Sequence, residues 1–284
     1  RRANLVPLMG LIRKYFGPMK AKCGWGTNPF YYLSGKYGIH PTYVQEMLAD
    51  PRYDEEDILA VIDHLRDTGG KKFSVGTMES ARNFYSDRPY GTWAPATLIE
   101  GRDVLILGTG PGVARHRSAL ESFIRRTKPL VVALNTQSSI DQELINLRVA
   151  SHPVRLLADA EEHRKLPQPL ITPVSVLPVK LREALGDKKL LDFGLGVEAG
   201  KFEFHDNYCI APTSLVLAYA LAVMTSGRAS RILMAGFDGY PAGDARNDEM
   251  NSLLTTFMAT PDTVQPISIL PTAYKISSVS LYGL

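Results

Sequence analysis

Residues 101–137, GRDVLILGTGPGVARHRSALESFIRRTKPLVVALNTQ, constrain what this chain can fold into more than any other stretch. They spell strand, glycine-rich turn, helix, strand. Val104–Leu107 is a short apolar run of the kind that fills a strand covered on both faces of a parallel sheet. It stops at Gly108-Thr109-Gly110-Pro111-Gly112, where missing side chains let the backbone turn sharply and let a ligand approach. A helical pattern follows, with Val113, Leu120, Phe123 and Ile124 on one side. Its first turn would aim free N–H groups over the loop, an anion-binding geometry. A second apolar run, Leu130–Leu134, ends in Asn135-Thr136-Gln137, and polar residues in that place are where open α/β sheets bind ligands. The dinucleotide pattern G-x-G-x-x-G is absent, and Asn135 stands where an acid would hold an NAD ribose. These residues favour a mononucleotide or phosphate ligand over NAD, with a tight turn free of ligand as the bland alternative.

Downstream, strands and helices alternate. The patterns predict helices over 141–149, 179–185, 213–225 and 244–258, and strands over 154–158, 171–177, 231–236 and 264–270, with 190–197 ambiguous. Such alternation calls for an α/β fold, a doubly wound, mostly parallel Rossmann-like sheet. Ahead of it, residues 1–75 read as a small helical region. Residues 76–100, punctuated by Gly76, Pro89, Gly91 and Pro95, read as a linker. The sheet domain then covers 101–284.

The net charge of +3 is too small to argue for nucleic acid. The two cysteines, Cys23 and Cys209, lie far apart in no metal-ligand spacing, which points to a reducing, cytoplasmic setting. No apolar run reaches the roughly 18 residues a membrane span needs. The opening Arg1-Arg2-Ala3-Asn4 is expected to be the middle of something longer.

Four clusters should meet at the carboxyl edge of the sheet: Gly108–Gly112, Asn135–Gln137, Pro212-Thr213-Ser214, and Phe237-Asp238-Gly239-Tyr240. Thr213 or Ser214 would cap the helix that follows, or turn its hydroxyl to a phosphate. Asp238 would hold a ribose, a metal or an acceptor hydroxyl, or serve only as a turn residue before Gly239. His205, beside Asp206, is a candidate general base, although neighbours on a strand point to opposite faces. His116 lies close behind the glycine loop. Asp244, Asp248 and Glu249 share one helix and are either a metal site or a solvated face.

Two resemblances add to this reading. The segment NPFYYLSGKYGIHPTYVQEMLADPRYDEEDILAVIDHL resembles the helical region that follows the barrel in HMG-CoA-lyase-like (pyruvate) aldolases, over about residues 5–75. It implies a chain that is the C-terminal part of an aldolase-containing protein, whose missing barrel or another subunit would be a partner. No aldolase site residue carries over.

The motifs LILGTGPGV, VVALNT and APTSLVLAYALAVMTSGRASRILMAGFDGY, over about residues 101–245, resemble two related groups. One is the bacterial sialyltransferases that use a CMP-sugar, the other the proteins like 6-hydroxymethylpterin diphosphokinase. The likeness implies that Gly108, Gly110, Pro111 and Asn135, with Thr109 and Gly112 in the same loop, hold a nucleotide. Thr213 and Ser214 would sit near its sugar or phosphate, with Asp238 and Tyr240 nearby. Two departures stand out. Gly112 replaces the usual serine, and no histidine follows His205 where the sialyltransferases carry their base, so transfer would need another base, with His205 and Asp238 the candidates, or does not occur as in that family. The resemblances imply a transferase-type domain binding a CMP-type nucleotide or nucleotide-sugar, fused behind an aldolase, in acidic-sugar or surface-polysaccharide synthesis. The alternatives are a pterin-type diphosphokinase, and an accessory or oligomerisation region without catalysis of its own. Whether a metal takes part is left open by these residues.

Overall fold

A computed structural model of the protein describes residues 89–284 apart from 153–155, 157, 158 and 178. The expected helical region 1–75 and residues 76–88 of the expected linker lie outside the described residues. The strands are β1 (Asp103–Leu107), β2 (Leu130–Leu134), β3 (Leu147–Val149), β4 (Leu170–Thr172), β5 (Leu190–Asp192), β6 (Gly194–Val197), β7 (Glu203–Phe204), β8 (Tyr208–Ala211), β9 (Arg231–Ala235), β10 (Pro266–Ser268) and β11 (Ser277–Ser278). The α-helices are α1 (Ala96–Ile99), α2 (Gly112–Arg115), α3 (Arg117–Thr127), α4 (Ala160–Lys165), α5 (Val179–Leu185), α6 (Val216–Ser226) and α7 (Ala245–Ala259).

The apolar runs become central strands because both of their faces are covered. Val104 and Ile106 of β1 join one cluster, with Val132, Ile232 and Met234. Leu105 and Leu107 join another, with Val131, Ala133, Leu233 and Ala235. Since side chains alternate along a strand, a fully apolar run needs apolar partners on both sides. Helix α3 supplies them on one face through Leu120, Phe123 and Ile124, and α6 and α7 supply them on the other.

The eight strands of the main sheet run in the order β11-β10-β9-β1-β2-β3-β4-β5, and every pairing between neighbours is parallel. The fold is therefore a doubly wound α/β, Rossmann-like sheet. From β1 the chain winds outward to β5, then returns through a three-stranded sheet, β6-β8-β7, and through α6. It re-enters on the opposite side of β1 as β9. The switch point of the topology lies between the carboxyl ends of β1 and β9, where open α/β sheets open a crevice.

Helix α6 packs against β8, β7 and β2, with Leu217–Ser226 all buried. A helix covered all round has no need of a polar stripe. Its one aromatic hydroxyl, on Tyr219, donates to the carbonyl of Phe193 at 2.5 Å. Cys209 of β8 is a buried free thiol, which burial holds well above its ordinary pKa.

Several expected elements differ. Residues 141–149 do not form a helix. Gln142–Leu144 make a single 3-10 turn, with the Asp141 carboxylate accepting from the Glu143 N–H at 3.1 Å. Leu147–Val149 then pair with β2, because long-range pairing outweighs local spacing over so short a run. Of the expected strand 154–158 only Leu156 lies among the described residues, and it is helical. Residues 190–197 split at Phe193 into two strands of different sheets. The helix expected over 213–225 begins at Val216.

The described end of the expected linker is part of the sheet domain. Thr92 and Trp93 donate their N–H groups to the Asp192 carbonyl at 3.0 Å each, Trp93 packs on the core, and Ile99 is fully buried. Gly91 and Gly194 lie backbone to backbone. A Cβ on Gly194 would come within 2.6–2.7 Å of the Tyr90 main chain.

Candidate functional site

The loop after β1 prolongs the β1–β9 ladder. The N–H of Gly108 donates to the Ala235 carbonyl at 2.8 Å, and that of Gly110 to the Gly236 carbonyl at 2.9 Å. The expected helix behind the loop is broken in two. α2 is four residues long, and His116, at φ −107°, interrupts it before α3 starts. Two loop amides are thus committed to the end of β9, and the dipole of so short a helix is small. This is a weaker anion cradle than the glycine pattern alone suggests.

What Gly110 and Gly112 admit instead is Asp238. A Cβ on Gly110 would run into Asp238 Oδ2 and lie 2.6 Å from the Gly236 carbonyl oxygen. A Cβ on Gly112 would lie 2.6 Å from Asp238 Oδ1. Any side chain at position 112 would crowd the Asp238 carboxylate, which packs where its Cβ would be. The backbone of Asp238 is pinned from the far side, its carbonyl accepting from the Ala273 N–H at 3.0 Å. Thr272 Oγ1 donates to the Phe237 carbonyl at 2.6 Å and steadies the same turn. Asp238 Oδ2 is buried and has no hydrogen-bond partner among the described residues.

Tyr240 and Tyr274 extend this corner. The Arg246 guanidinium lies over the Tyr240 ring, 3.9 Å from its centroid, and is gripped by both oxygens of Asp244 at 3.0 and 2.8 Å. Burial pushes the Tyr274 hydroxyl above its ordinary range; Tyr240 and Asp238 add to the shift and Arg246 opposes it. Among the described residues no three His, Cys, Asp or Glu side chains gather as metal ligands. Of the three acids at α7, Asp244 caps the helix by accepting from the Arg246 N–H at 2.9 Å, and Asp248 is exposed.

Burial pushes the Glu249 carboxyl up to about 7 against the pull of Arg246, and its Oε2 has no partner among the described residues. From 4.5 to about 7 the folded chain keeps a proton that the unfolded chain has released, so stability falls as pH rises through that window. Glu249→Gln should be more stable than the parent above pH 7, by about 2 kcal/mol, and should flatten the decline. Denaturant titrations on either side of the window check this.

The other candidates occupy the same edge. Asn135 ends β2 in the left-handed conformation, φ 51°, and its carbonyl accepts from Arg148 Nη1 at 3.0 Å. The N-cap of α6 is Leu215, neither Thr213 nor Ser214. Those two residues form the turn ahead of it, where Thr213 Oγ1 accepts from the Leu215 N–H at 3.3 Å. Ser151 Oγ, just past β3, donates to the Ser214 carbonyl at 3.1 Å, which places this turn at the carboxyl end of β3. With strands about 4.8 Å apart, that is roughly 10 Å from the glycine loop. His116 Nδ1 lies 2.9 Å from the Tyr282 hydroxyl.

His205 is the candidate that the structure does not bring in. It sits in the β7–β8 hairpin, stacked on Tyr208 at 4.1 Å between centroids, with Nε2 3.6 Å from Glu203 Oε2. Neighbouring Asp206 is 92% exposed and lies 4.0 Å from Arg228, which also pairs with Glu100 at 2.9 Å. Arg228 and Glu100 precede β9 and β1, so this hairpin turn lies at the amino edge of the sheet. The glycine loop is a full strand away, about 17 Å. Asp206 does not orient His205.

Two further residues belong to the site: Gln137, from the expected cluster Asn135–Gln137, and Arg148, which the sequence reading gave no role. Gln137, 5% exposed, donates its side-chain amide to the Gly108 carbonyl. Arg148, fully buried in β3, holds the turn that carries Gln137. The visible signal was a lone arginine inside the apolar run Leu147-Arg148-Val149. Comparison with known proteins finds no family model and no curated protein that matches this chain.

Proposed function

We propose that the sheet domain is a nucleotide- or nucleotide-sugar-binding domain of transferase type, with a CMP-type nucleotide as its ligand at the β1–β9 switch point. The observation that supports this most is the Asp238 carboxylate. It lies at the carboxyl ends of the two central strands, against Gly110 and Gly112, with one buried oxygen unpartnered among the described residues. A carboxylate accepts hydrogen bonds and repels anions. It therefore suits the hydroxyls of a ribose or of a sugar acceptor, and it turns the phosphate away, toward Asn135 and the Thr213-Ser214 turn. Tyr240 stands two residues on. If an acceptor hydroxyl rests on Asp238, the carboxylate takes its proton as the acceptor oxygen attacks the sugar carbon and the nucleotide leaves. His205 has no part in this step. The setting, fused behind an aldolase in acidic-sugar or surface-polysaccharide synthesis, rests on the resemblances alone.

A thermal-shift and calorimetry panel of CMP, CDP, ATP with Mg²⁺, and NAD tests the proposal. CMP or CDP should stabilise the parent. Asp238→Asn should weaken their binding by about tenfold or more, since hydrogen bonds to a charged group contribute about 1.5–3 kcal/mol. The unliganded variant should melt no lower than the parent, because it replaces an oxygen that is buried without a partner among the described residues. Stabilisation by ATP with Mg²⁺ alone would favour a diphosphokinase. No response to any nucleotide would favour a non-catalytic module.

A further inference from the structure

We infer that Gln137, held from behind by Arg148, is the positioning residue that sets the glycine loop for its ligand. Gly108 is gripped on two sides. Its N–H donates to the end of β9, and its carbonyl accepts from Gln137 Nε2, which reaches across from the end of β2. The other end of the same carboxamide, Oε1, accepts from the Ser139 N–H at 2.6 Å. One orientation of the amide satisfies both partners, so Gln137 works as a fixed bar between the two strand ends on the ligand edge.

Arg148 fixes the bar. Its guanidinium is fully buried, and no carboxylate lies within ion-pair distance among the described residues. It donates instead to neutral oxygens: Gln168 Oε1 at 2.8 Å, the carbonyls of Asn135 at 3.0 Å and Gln137 at 2.9 Å, and Gln142 Oε1 at 2.5 Å. Gln168 closes the cage by donating to the Gln142 carbonyl at 2.7 Å. A buried cation without an ion-pair partner is expensive, and burial draws this one down to about 10 against the pull of the Glu162 carboxylate. The donors go largely to the turn 135–142, which carries both Asn135 and the bar to Gly108. A core needing only apolar filling at β3 would hold Leu or Val at no such cost.

The loop and the ligand are tested separately, in the full chain. In Gln137→Met the reach to Gly108 is kept and the donor is lost. In Gln137→Glu the side chain still accepts from Ser139 and suits the nearby guanidinium, but an ionised carboxylate cannot donate to Gly108. In both variants the Gly110 and Val113 amides should exchange with solvent about tenfold faster or more, while Leu105–Leu107 exchange at the parent's rate. Should the Met variant fail to fold, the Glu variant decides. Unchanged exchange at Gly110 and Val113 overturns the inference. The second readout rests on the proposed nucleotide site: affinity for CMP should drop about tenfold or more with the melting temperature within a few degrees of the parent's. A purely structural role would lower the melting temperature in step with affinity and would overturn the inference. Faster exchange in a protein whose parent binds no nucleotide would keep the bar and discard the nucleotide proposal.

Discussion

Gly110→Ala should destabilise the domain by about 3 kcal/mol, whereas Gly112→Ala, two residues on, should abolish ligand binding at little cost to the fold. The difference lies in what each new methyl would meet. At Gly110 it runs into the Asp238 carboxylate and comes within 2.6 Å of the Gly236 carbonyl oxygen. That carbonyl is fixed, because it accepts the Gly110 N–H and terminates the β1–β9 ladder. Relief requires the two central strand ends to part, and overpacking of this kind costs about 1–3 kcal/mol even in more yielding cores. At Gly112 all three nearest atoms belong to the Asp238 side chain, at 2.6, 3.0 and 3.1 Å. A side chain rotates where a backbone cannot. The fold survives, but the carboxylate leaves the place where the ligand needs it. Thermal melts should show Gly110→Ala falling by about 6–12 °C and Gly112→Ala by much less. Calorimetry with CMP should show binding lost in the second variant. A Gly110→Ala protein that melts with the parent would mean that the loop is not tied to β9 in solution.

The same pair of glycines marks how far the sequence could be read. The strand, turn, helix, strand order of 101–137 was legible because the apolar runs of β1 and β2 have a single stable use, burial on both faces. The positions of Asp238 and the glycine loop on one edge followed from parallel topology alone. The chemistry of the loop did not follow. Glycines signal close approach but not by what, and here the approaching group is a side chain of the same protein about 130 residues on. The short elements were lost for another reason. β3 is three residues long with a charge in its middle, so nothing local separates it from the end of a helix. Its identity comes from Val132–Leu134 alongside. His205 looked chemical because an acid follows it, and only the approach of Asp206 to Arg228, which pairs with Glu100, shows that hairpin at the amino edge.

Arg148→Met should destabilise the protein by about 3 kcal/mol, although methionine is apolar and fills similar space. Two effects oppose each other. Removing a buried cation that has no ion-pair partner recovers a desolvation cost, and replacing buried charges by apolar groups has made other proteins more stable. Against this, the change strands the acceptors that Arg148 satisfies: two backbone carbonyls, of Asn135 and Gln137, and two carboxamide oxygens, of Gln142 and Gln168. Each buried acceptor left without a donor costs about 1–3 kcal/mol. Four such losses outweigh the gain from one cation, because the gain comes from a guanidinium that was already well hydrogen-bonded. Arg148→Lys separates the two effects. It keeps the charge but replaces a planar fork with a single ammonium point, which cannot span acceptors on the β2 turn and on Gln168 together. If hydrogen bonding governs, Lys should be as damaging as Met or nearly so. If charge desolvation governs, Met should be neutral or stabilising, and Lys should remain costly. Denaturant unfolding of both variants at neutral pH distinguishes these outcomes. A stabilised Arg148→Met would make the guanidinium a burden on the fold, retained for the turn it holds beside Gly108.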